Sequence, residues 1–147
     1  MLLIGTRNTT SQAVVTGGVV DLGSTYRRYI KKNSCGVNTF ALNGDAIAIQ
    51  QSGVYKVTVS ATFTAPAAGD VTLQLFENGV AIPGALATET ITTATTEFRS
   101  VSFDVYVLVD SISTLGNVST LVEDLTVVNT GDAATITNIV VDVLKVS

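Results

Sequence analysis

Between Tyr55 and Phe63 the chain alternates without a break. Tyr55, Val57, Val59, Ala61 and Phe63 are apolar, and Lys56, Thr58, Ser60 and Thr62 between them are polar. Successive side chains on a β-strand point to opposite faces, so the pattern predicts a strand with one face in a core and the other in water. The same period recurs in Val71, Leu73 and Leu75, and again in Val101, Phe103, Val105, Val107 and Val109. Shorter strands are predicted over 14–22, 39–42, 46–49, 118–128 and 135–146. Turn signals fall between them, among them Asn43-Gly44-Asp45, Gly69-Asp70, Asn78-Gly79, Pro83-Gly84, Gly116-Asn117 and Gly131-Asp132. Gly and Asn tolerate positive φ, and Asn-Gly suits the type I′ hairpin turn. Val, Thr and Ile supply 53 of the 147 residues, and such β-branched side chains favour pleated surfaces. An all-β sandwich or barrel is expected. The Thr-rich stretch 85–97 carries neither period cleanly and is predicted as a strand and a loop. At this length one core is expected, over residues 13–147, with residues 1–12 as an N-terminal arm outside it.

Composition excludes much chemistry. The chain has no His, no Trp and one Cys, Cys35. Without His there is no Ser-His-Asp or Cys-His nucleophile and no His-ligated zinc. One Cys can form neither an internal disulfide nor a thiolate metal site, so Cys35 is expected as a small buried apolar residue. Glu123 and Asp124 are neighbours, and on a strand they point to opposite faces, so they cannot share a catalytic site. None of the Asp-bearing turns has the ligand-dense spacing of a Ca²⁺ loop. No catalytic residue, cofactor or metal is predicted, and no enzyme. Polar residues interrupt every apolar run well short of the roughly 20 needed to cross a bilayer. No membrane partner is predicted. The N-terminus lacks a basic leader and a signal-length apolar stretch, so assembly inside a cell is expected.

The net charge of −4 is unevenly spread. Residues 1–32 hold Arg7, Arg27, Arg28, Lys31 and Lys32 against Asp21 alone, a net +4, and the remaining residues hold three cations against eleven carboxylates, a net −8. Four of the cations lie in Tyr26-Arg27-Arg28-Tyr29-Ile30-Lys31-Lys32. Nucleic acid is discounted as a partner, because counterion release rewards a broad basic face and an acidic body repels the polyanion. Two readings stay open: a solvated strand or loop balancing nearby carboxylates, or a docking patch for an acidic protein surface, where aromatics and Arg are enriched.

In a two-sheet sandwich, outward positions should be polar. Val105-Tyr106-Val107-Leu108-Val109 and Ile139-Val140-Val141-Asp142-Val143-Leu144 break that rule, being largely apolar on both faces. Contiguous exposed apolar patches mark interfaces. A homo-oligomer contact through Tyr106, Leu108, Val140, Leu144 and Val146 is predicted, with Asp142 on the same face and in need of a partner.

Gly53-Val54-Tyr55-Lys56-Val57-Thr58-Val59, followed by Gly69-Asp70-Val71-Thr72-Leu73-Gln74-Leu75-Phe76-Glu77-Asn78-Gly79-Val80, resembles the TNF/C1q-like jelly rolls of bacteriophage virion proteins. Leu125 to Thr130, Val141 to Val146 and Leu22-Gly23-Ser24-Thr25-Tyr26-Arg27-Arg28-Tyr29 are similar to the same family, its head-fibre and capsid-decoration members in particular. The resemblance implies an antiparallel two-sheet jelly roll, a homotrimer about a threefold axis and an accessory place in a virion. Tyr26, Arg27, Arg28, Tyr29, Lys31 and Lys32 would then dock on a major capsid protein or another virion protein. The chain departs from the related collagen-like surface proteins in lacking a Gly-X-Y stalk. The competing expectation is a receptor-binding tip for a host surface glycan. Against it, only Tyr26, Tyr29 and Tyr106 are left free by strand parity to stack on a sugar.

Overall fold

The computed structural model describes residues 1–32, 34, 36–109 and 123–147, all outside helices. Eleven strands run in chain order: β1 (Leu2–Asn8), β2 (Gln12–Val14), β3 (Ser24–Tyr29), β4 (Phe40–Asn43), β5 (Ala46–Ile49), β6 (Gly53–Thr64), β7 (Gly69–Glu77), β8 (Val80–Ile91), β9 (Arg99–Val109), β10 (Glu123–Asn129) and β11 (Ala134–Lys145). They form two antiparallel sheets, β3-β1-β11-β6-β9, with β2 also on β11, and β4-β5-β10-β7-β8. From β5 onward most connections pass from one sheet to the other, the jelly-roll path. Among the described residues no helix is long and apolar enough to cross a membrane.

The period-two segments become the long strands. Tyr55, Val57, Val59, Ala61 and Phe63 of β6 are buried against Val71, Leu73 and Leu75 of β7, Leu125 and Val127 of β10 and the alternate residues of β11 in one core. Asn78 and Gly79 form the β7–β8 hairpin with φ of 51° and 79°, the two positive values a type I′ turn needs. The Thr-rich stretch closes β8 and then turns: Glu97 accepts hydrogen bonds from the Thr92 and Thr93 backbone N–H groups and pairs with Arg99 at 2.6 Å. These donors hold the Glu97 carboxyl down to about 2.

Two expectations are corrected. Residues 1–12 are not an arm, because β1 lies inside the first sheet, paired with β11 on one side and β3 on the other, with Ile4 and Thr6 fully buried. The strand predicted over 14–22 is broken. Only Val14 belongs to β2, and the chain then crosses to the other sheet, where Val20 N–H donates to the Val127 carbonyl. Cys35, Gly116-Asn117 and the predicted strand before Glu123 lie outside the described residues.

That crossing makes Asn129 a tie between the sheets. Its buried amide donates to the carbonyls of Val14 in β2 (3.2 Å) and of Asp132 (2.8 Å), and its Oδ1 accepts from Gly131 N–H. Truncating one partner leaves buried polar groups unsatisfied, at about 1–3 kcal/mol. Asn129→Ala should lower stability by about that amount in urea unfolding followed by far-UV circular dichroism, and an unchanged midpoint would show that the amide does not tie the sheets.

Candidate functional site

The first sheet has one face in the core and one outward. Strand register sets out the outward face as cross-sheet rows. One row runs Tyr29, Leu3, Leu144, Lys56, Tyr106, and the next runs Arg27, Gly5, Asp142, Thr58, Asp104. Beyond them come Arg7, Val140, Ser60 and Ser102 on one side, and on the other Val54 beside Leu108, with Val146 bonded to Val54. The five residues predicted for a homo-oligomer contact therefore share this face. Tyr106 is 65%, Leu108 62% and Val146 45% exposed, and Val140 and Leu144 are half-buried. No layer among the described residues covers them.

Asp142 finds its partner on the basic strand. The Tyr26 hydroxyl donates to Asp142 Oδ1 at 2.8 Å. To reach it the ring lies across Gly5, where an added Cβ would stand 2.5 Å from that oxygen and 2.8 Å from the ring, so the crossing needs a residue without a side chain. The Arg7 and Arg27 guanidiniums flank the ring at 5.4 and 5.7 Å from its centroid, within cation–π range. The hydrogen bond from Tyr26 to Asp142, with burial beside it, raises the Tyr26 hydroxyl above its ordinary 10.0.

The six predicted docking residues are thus divided by strand geometry. All are exposed, on β3 and just after it. Arg27 and Tyr29 point onto the outward face, Tyr26 folds across it, and Arg28 turns away toward the second sheet, its guanidinium 3.4 Å from the Phe40 carbonyl oxygen. The Lys31 backbone is fixed by the Thr39 hydroxyl and the Gln51 amide, and Lys32 bridges Asn38. These basic residues sit at the end of the sandwich where Leu2 pairs with Lys145, so both termini emerge beside them. The opposite end holds Asp70 at the start of β7, Asp132 in the β10–β11 turn, and a polar cleft of about 550 Å³ lined by residues 8–12 with Asp21, Gly23 and Ser24. That cleft contains no aromatic side chain.

Glu77 escaped the sequence reading. It continues the inward face of Val71, Leu73 and Leu75, and the pairing of β7 with β10 brings it beside Glu123, two residues from its register partner Leu125. The Asn78 amide donates to Glu123 and its oxygen accepts from Asp124 N–H at 2.9 Å. Burial, the hydrogen bond with Glu123 and the Glu123 charge raise Glu77 above its ordinary 4.5. The nearest sequence clue was the parity of β7, which carries a carboxylate where a fourth apolar residue would fall. Among the described residues no group of three or more His, Cys, Asp or Glu could hold a metal ion. Because folding favours protonated Glu77, its contribution to stability is full below the unfolded value and is lost as pH rises through the raised folded one. Glu77→Gln should therefore raise the melting temperature at neutral pH and change it little below 4.5; a variant equally or less stable at neutral pH would contradict this.

No family model and no curated protein sequence matches the chain. Solved structures do. It is similar to the globular domain of zebrafish complement 1qA protein (TM-score 0.61, 10% identity, 100% of this chain and 98% of that one). It is also similar to the Eiger TNF of S. frugiperda (0.63, 12%, 100% and 94%). PRD1 vertex protein P5 matches at 0.53 and 13%, over 99% of this chain and 97% of that one. At these identities the likeness is one of fold, and the fold is the TNF/C1q-like jelly roll.

Proposed function

We propose that the chain is a structural protein of a bacteriophage virion, a homotrimer that decorates the capsid or forms a head fibre. The observation that carries the reading is the outward face of the first sheet, where Leu3, Leu144, Tyr106, Leu108 and Val146 form an apolar surface that a two-layer domain leaves uncovered. A second and third copy would bury it, as the family resemblance implies. The similarity to a vertex protein supports the virion location.

In this reading the basic end docks on a major capsid or other virion protein. Arg28, Lys31 and Lys32 lead the contact, with Tyr26, Arg27 and Tyr29 shared between it and the oligomer face. Attachment by the end that carries both termini points the end with Asp70 and Asp132 away from the particle. The work is packing, and no catalytic group is assigned.

Light scattering on the purified chain at micromolar concentration should return the mass of three copies; a monodisperse monomer would sink the trimer. Arg28→Ser, Lys31→Ser and Lys32→Ser together should leave the mass unchanged and abolish occupancy on particles that lack the protein. Full occupancy would overturn the docking role. Glycan or host-cell binding that survives these changes, and is lost on substituting the cleft-lining Gln12 and Ser24, would favour a receptor-binding tip instead.

A further inference from the structure

We infer that the trimer is closed head to tail by charge, with Arg27 of one copy, flanked by Arg7, set against Asp104 of the next. The inference rests on the trimer proposed above and specifies its register.

The outward face has two unlike flanks. Along β3 and β1 lie Arg27 and Arg7, both exposed, stacked on Tyr26 and without a carboxylate partner among the described residues. Along β9, the free edge of the sheet, lies Asp104 with Tyr106 and Leu108. Asp104 already meets Lys56 at 3.3 Å, yet it stays exposed at the rim and keeps lone pairs for a second cation.

Symmetry supplies the register. A ring that sets the β9 flank of one copy on the β3 flank of the next arrays the copies across the strands, so the axis runs along them. Rotation about an axis moves every residue around it and none along it. Residues at one height in a copy therefore meet at that height between copies. Arg27 and Asp104 stand in the same cross-sheet row, and Tyr29 and Tyr106 share the next. Closing the ring thus brings guanidinium to carboxylate and aromatic to aromatic. The Tyr26 hydrogen bond to Asp142 serves the same end, because it engages the carboxylate in the row of Arg27 on its own chain.

The test is charge exchange read by mass. Arg27→Asp and Asp104→Arg should each raise the concentration at which the trimer dissociates about tenfold, and added salt should weaken the wild type in the same direction. The chain carrying both exchanges should recover wild-type assembly. Because both residues are exposed, the fold should persist, with melting curves as the check. The neutral Arg27→Gln and Asp104→Asn should each weaken assembly less than the reversals. A trimer indifferent to salt and to the single exchanges would overturn the register while leaving the trimer standing. Loss in the singles without recovery in the double would overturn it as well. A monomeric wild type would instead remove the reading beneath it.

Discussion

A two-layer sandwich covers only one face of each sheet, and the rest of this molecule depends on that limit. The second sheet shields Val57, Val59 and Val143 of the first, but no described residue shields Leu108 or Tyr106 on its far side. Burying apolar area yields about 25 cal/mol per Å². In the reading proposed above, a face with several large apolar side chains is one that further copies would bury. The positive mean hydropathy of +0.46 has its structural meaning there. With Lys56, Thr58 and Ser60 interspersed, the face is mixed enough to stay dissolved before assembly.

The basic edge is shaped by the same face. An isolated Tyr26 would be free to swing outward, but Gly5 opens a groove in β1, and Asp142 gives the hydroxyl a charged acceptor across it. Both groups lie on an exposed surface, so the hydrogen bond alone is modest, and the two guanidiniums stacked on the ring add about 0.5–1 kcal/mol each at an exposed site. Together they fix an edge strand whose side chains are all exposed and which no core residue anchors. Two charged arginines at the edge also discourage unwanted strand pairing there.

How much of this was legible in the sequence follows from periodicity. β6, β7 and β9 announce themselves because their inward apolar residues fall at every second position, and Asn78-Gly79 states its turn outright. β1 was hidden because its inward residues are Leu2, Ile4 and Thr6 and its outward ones Leu3, Gly5 and Arg7, a pattern that neither alternates nor runs apolar. β3 could not be seen for the opposite reason: all six residues are exposed, and a bulge between its pairings shifts parity at Tyr26. The exposed apolar face was readable from Tyr106 and Leu108, since an apolar residue at an outward parity is a local fact. Tyr26 with Asp142 and Glu77 with Glu123 were not, because register between strands 116 and 46 residues apart is a property of the folded sheet.

The cations of the first part of the sequence are gathered in place as well, and in the reading proposed above they orient the attachment. Arg28, Lys31 and Lys32 gather beside the termini, at the end that also holds Glu77, Glu123 and Asp124 of the second sheet, while Asp21, Asp70 and Asp132 stand at the other end. The proposed trimer would repeat this cluster three times about one axis. The exposed Arg28, Lys31 and Lys32 would then lead its approach to an acidic surface. The field speeds and orients the encounter more than it tightens the complex. Retention then falls to short-range contacts, which the aromatic Tyr29 at the rim of the basic end can supply. Copies held about one axis also present three such rims together, and if a particle offers matching threefold sites, the second and third contacts form at the effective concentration set by the first. In the proposed reading, assembly through the apolar face and attachment through the basic end would reinforce each other without sharing the same side chains, apart from the residues of β3 that border both.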